Sequence, residues 1–67
     1  MAVQSMSVVR VGSPDTFDTL VADMKTEENA ILSTLAINNV LDVRYDYGQF
    51  RHPNVLAYAV CTILYLE

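Results

Sequence analysis

The sequence predicts a small α+β domain of β-α-β-β order. Its sheet has three antiparallel strands in the order 1-3-2, a helical region on one face, and further copies of the chain against the other. Three observations carry this expectation. Val55 to Leu66 holds no charged residue, is rich in β-formers and is apolar at odd and even positions alike; side chains alternate across a strand, so such a run needs cover on both faces. Leu41, Val43, Tyr45 and Tyr47 alternate with Asp42, Arg44, Asp46 and Gly48, the pattern of a strand with one wet face. Phe17, Leu20, Val21 and Met24 recur at helical spacing, which supplies one cover and no second.

The elements follow in order. Met6 to Val11 is a short β-rich run, closed by Gly12-Ser13-Pro14-Asp15, which stops a strand and opens a helix. Ser13 before Pro14, or Asp15 before Thr16, serves as N-cap, and Asp15 and Asp18 suit the positive end of a first helical turn. The apolar stripe lapses after Met24 and resumes at Ile31, Leu32 and Leu35. At the lapse Thr26-Glu27-Glu28 reads as a fresh cap, so the region is either one helix to about Ala36 with an irregularity, the reading preferred, or two helices meeting near Lys25. Asn38-Asn39 ends it. After the alternating strand, Gly48 to Asn54 reads as a loop longer than a minimal hairpin turn. The last strand, apolar on both faces, belongs in the middle of the sheet.

Within that strand Ala57, Ala59 and Cys61 are small enough to let a helix approach, so they take the helix face. Leu56, Tyr58, Val60, Leu64 and Leu66 then point the other way, and burying each fully is worth about 1.5–3 kcal/mol. Monomers rarely leave such a patch in water. The expected partner there is the chain itself, as a dimer or tetramer.

Bulk properties narrow the classes. At 67 residues the chain is one domain, residues 1–67, near the size at which a single core supplies roughly 3–5 kcal/mol. The apolar C-terminal run is shorter than the about 20 residues a membrane helix needs, and it is β-branched and aromatic, so no membrane span is expected. No secretory signal precedes it and the single cysteine forms no internal disulfide, which makes the cytoplasm the expected compartment. A net charge of −4 and a pI near 4.6 oppose binding to long nucleic acid. A small anion with few charges stays within reach.

Val40-Leu41-Asp42-Val43-Arg44-Tyr45, set after a strand and a helix and followed by an apolar strand ending Ile63-Leu64-Tyr65, resembles the small sporulation-protein family of spore-forming bacteria and their phages. The resemblance implies a β-α-β-β fold and no catalytic residues, and the helical region here is longer than in the family pattern. In size and expected assembly the chain is also similar to phage sponge proteins, small oligomers that sequester cyclic-nucleotide signals of bacterial immunity; that likeness is architectural and implies a cytoplasmic protein, in the host if phage-encoded.

The candidate ligand cluster is Arg44, Tyr45, Tyr47, Phe50, Arg51, His52 and Tyr58. Aromatic faces stack on a nucleobase and guanidinium groups take phosphate oxygens, so rings and cations near one hairpin suit a small nucleotide. Alternation in the core also explains Tyr45 and Tyr47, and a charge ladder with Asp42 and Asp46 explains Arg44. His52 is the only histidine, so no metal site of ordinary histidine ligation is expected, and no cofactor. Cys61 lies in an uncharged strand and reads as packing. The acidic residues of the helical region suit helix-start electrostatics and a solvated face, and no glycine-rich phosphate loop is present. The chain is therefore expected to be a non-enzyme: a homo-oligomer that binds and sequesters a small nucleotide, or else a structural or protein-interaction module.

Overall fold

The computed structural model describes residues 2–51 and 53–67. Strand β1 (Val3–Gly12) leads through a short 3-10 turn (Pro14–Thr16) into helix α1 (Phe17–Leu32), and a second 3-10 turn (Ile37–Asn39) opens the hairpin of β2 (Val40–Arg51) and β3 (Val55–Leu66). The sheet is antiparallel in the order β1-β3-β2, as the double-sided strand requires.

Local chemistry sets the boundaries. The Ser13 hydroxyl accepts a hydrogen bond from the Asp15 amide and Pro14 fills the first turn, so the chain turns from strand to helix at once. Helix α1 runs without a break past Lys25 and ends at Leu32. The region is thus one helix, as preferred over two, but it ends at Leu32 rather than about Ala36 and has no irregularity near Lys25. Hydroxyls account for the early end: Ser33 and Thr34 bond back to the carbonyls of Ala30 and Ile31, satisfying the last turn locally. Leu35 lies beyond the helix yet still packs on the core.

The hairpin is also tighter than the sequence suggests. Gly48 to Arg51, expected in a loop, continue β2 and pair with Tyr58 to Val55. Gly48 makes this possible: a Cβ there would lie 2.6 Å from the Tyr58 hydroxyl, so only glycine lets the Tyr58 ring lie across the neighbouring strand. At the other end of β2 the register shifts between Val40 and Asp42, leaving Leu41 as an extra, half-exposed residue.

The core lies between α1 and the sheet. Met24, Ala59, Cys61 and Ile63 are fully buried and Val8 nearly so. Odd positions of β3 thus meet the helix, while Leu56, Tyr58, Val60, Leu64 and Leu66 lie half-buried on the opposite face. No element among the described residues covers that face. The consequence is a slab, 43 × 19 × 12 Å, with a radius of gyration of 13.6 Å, against about 11 Å for a compact chain of this length.

Candidate functional site: an aromatic ledge beside the helix

The alternation of β2 divides the predicted cluster between the two faces of the sheet. Arg44, beside Thr62, and Phe50, beside Leu56, share the open face with Tyr58. Tyr45, Tyr47 and Arg51 occupy the helix side, with Gln49 between the last two. One subunit therefore divides these residues between two surfaces. His52 lies outside the described residues.

On the open face the aromatic pair is Phe50 and Tyr58, ring centroids 6.2 Å apart. Arg44 is tied to Asp42 by an ion pair of 2.6 Å, and that bond holds the Asp42 carboxyl below its ordinary range. With Asp46 close by on the same face, this side of β2 offers little positive potential to an anion.

The helix side differs. Tyr45 and Tyr47 stack nearly parallel, centroids 6.3 Å apart and planes 8° from each other, and each is 41 % exposed. Phe17, at the start of α1, meets Tyr47 edge to face at 5.8 Å. Lys25 places its ammonium 4.4 Å from the centre of the Tyr45 ring, a cation–π contact. A depression of about 210 Å³ opens between Phe17, Tyr47, Gly48 and Gln49. It is smaller than the roughly 300–1,000 Å³ of a site that swallows a drug-sized molecule, and so suits part of a ligand laid along the strand. A second depression, of about 260 Å³, lies among Leu32, Ile37, Val40 and Val43 and is lined only by apolar side chains.

Beneath the ledge sits Glu28, only 6 % exposed. Both its carboxylate oxygens accept from the Tyr45 hydroxyl, Oε2 at 3.0 Å. The hydrogen bond, burial and the carboxylate charge push the Tyr45 hydroxyl up to about 12. Burial first, and then Glu28, push the neighbouring Cys61 thiol up as well, which keeps it protonated and unreactive. Lys25 and Glu28 thus occupy the lapse in the apolar stripe of α1. What the sequence presents as a faulty helix is a polar inset in a continuous one, with Tyr45 as its partner. The inset, with Phe17 and Gln49, went unread in the sequence, although two charged residues at stripe positions are a usable signal of an inward-facing polar contact.

The inset makes a prediction about alkaline stability. The folded-state value of Tyr45 lies above its ordinary 10.0, so its contribution is complete below pH 10 and is lost as pH rises toward 12. Because the ring is more than one-third exposed, solvent screening limits the loss to on the order of 1 kcal/mol. Thermal melts across this range are expected to fall more steeply for the wild type than for Tyr45→Phe. Parallel profiles would contradict the contact.

No protein-family profile matches the chain, and comparison with curated proteins and with solved structures finds no significant similarity. No helix among the described residues is long and apolar enough to cross a membrane, and no group of potential metal ligands occurs among them.

Proposed function

We propose that the chain is a non-enzymatic binding protein that holds a small anionic nucleotide, of the cyclic-nucleotide class, on the helix-side ledge of β2 and sequesters it unchanged. One observation carries this reading. Of the 4 basic side chains, Arg10 is paired with Glu27 and Arg44 with Asp42, whereas Lys25 and Arg51 have no carboxylate partner among the described residues. Those two flank the exposed, stacked Tyr45 and Tyr47 on one side of the sheet. Rings that stack on a base, with cations to either side for phosphate, form a sequence-tolerant nucleotide surface. The architectural likeness to phage sponges suggests this reading, whereas the resemblance to sporulation proteins belongs to the second reading below; a cytoplasmic setting, that of the host if phage-encoded, is expected for the sponge.

Calorimetric titration with cyclic mono- and dinucleotides tests it. Binding is expected to weaken about 5- to 150-fold in Tyr47→Ala, the equivalent of the roughly 1–3 kcal/mol per stacked base, and to weaken in Lys25→Gln. No heat with any member of the panel would overturn the reading.

A second reading, a structural or protein-interaction module, is favoured by the uncovered sheet face. Val9, Val11 and Phe50 are exposed there beside the half-buried apolar residues of β3, more apolar surface than a monomer usually leaves in water.

A further inference from the structure

The open face specifies its own partner. Read across the sheet from β1 through β3 to β2, its rows are Val3 and Leu66; Ser5, Leu64 and Asp42; Ser7, Thr62 and Arg44; Val9, Val60 and Asp46; Val11, Tyr58 and Gly48; then Leu56 and Phe50. Among the described residues every charge on the face lies on β2, and β1 contributes only Val and Ser. The Ser7, Thr62 and Arg44 row is polar, with the Ser7 and Thr62 hydroxyls 3.3 Å apart; the rows on either side mix apolar residues with Asp42 or Asp46, and both ends are apolar.

We infer that a second copy of the chain covers this face, sheet upon sheet, about a two-fold axis parallel to the strands. In that arrangement β3 lies over β3, and β1 of each copy lies over β2 of the other. The distribution of charge supports it: among the described residues the carboxylates and the guanidinium of this face lie only on β2, an outer strand, which leaves β1 and β3 as uncharged surface for a second copy. Each row then meets its own copy: the apolar ends are buried against each other, and Asp46 lies over Val9. Asp42 and Arg44 then face Ser5 and Ser7 of the other copy across about 10 Å, the spacing of stacked sheets. The alternative two-fold, perpendicular to the strands and centred on the Thr62 row, sets β2 over β2 reversed. Asp42 would then oppose Asp46 and Arg44 would oppose Arg44, so like charges disfavour that register.

Gly48 belongs to this design. With no Cβ in its way, the Tyr58 ring lies flat across β2 against Phe50 and the face stays level enough to receive another. Gly48→Ala, by lifting that ring, is expected to raise the dimer dissociation constant about tenfold or more.

Sedimentation and cross-linking of the full chain test the arrangement. The wild type is expected to sediment at micromolar concentration at twice the 7.5 kDa chain mass, and Val60→Glu as a monomer with its far-UV circular dichroism retained. Leu66→Cys, treated with a bis-maleimide spanning about 10 Å, is expected to give a covalent dimer, because on-axis rows of β3 meet their own copies at the sheet spacing. A wild-type monomer, which leaves the face to another protein or to none, overturns the inference. So does a dimer untouched by Val60→Glu. A dimer that cross-links at Thr62→Cys but not at Leu66→Cys overturns the axis, since both two-folds superpose the Thr62 row and only one superposes the Leu66 row.

Discussion

Met24→Ala is expected to unfold the isolated chain or bring it to the edge of unfolding at 25 °C. Met24 is fully buried on α1 against Val8, Ala59, Cys61 and Ile63, the cluster that joins helix to sheet. Cutting methionine to alanine in such a site costs about 2–5 kcal/mol, from lost transfer energy and the cavity left behind. A domain of 67 residues has a core worth only roughly 3–5 kcal/mol, so the loss consumes most of what holds it. Urea titration followed by far-UV circular dichroism should show either no folded baseline or a midpoint moved close to zero denaturant. A loss below about 1 kcal/mol would contradict the packing of α1 on the sheet.

Tyr45→Phe is the second large effect, and its interest lies in the repair. The substitution leaves the ring over the helix but takes the donor from Glu28, whose carboxylate is almost wholly enclosed. An unsatisfied buried group costs about 1–3 kcal/mol, and more when charged. Glu28→Met in the same background replaces both partners with apolar groups, and the double variant is expected to regain most or all of the loss. The double-mutant cycle should therefore give a coupling of about 1–3 kcal/mol. Additive single effects would mean that the hydroxyl and the carboxylate do not interact.

The same inset shows how far the sequence could be read. Alternation in β2 and the double-sided character of β3 specify strand order, because only a central strand tolerates apolar side chains on both faces, and Ala57, Ala59 and Cys61 specify which face the helix takes. Helix length was not legible. A lapse in an apolar stripe looks the same whether a helix breaks or an internal polar pair replaces apolar contacts, and only the position of Tyr45 decides between them. The end of β2 was hidden for a related reason: Gly48 reads as a loop signal, but it serves to admit the Tyr58 ring, a partner ten residues away in sequence. Proximity along the chain likewise grouped Arg44, Tyr45, Tyr47, Phe50 and Tyr58 in one cluster. The period of a strand puts alternate members on opposite faces, so the group becomes two surfaces: a ledge beside the helix and a broad apolar face.

Those surfaces are assigned different work, and an amide-resolved nuclear magnetic resonance titration with a cyclic dinucleotide tests the division most directly. Shifts are expected at Phe17, Lys25, Tyr45, Tyr47, Gln49 and Arg51, with Ser5, Ser7, Val60, Leu64 and Leu66 unmoved. Shifts centred on the Val60 to Leu66 face, or none at any site, would contradict it.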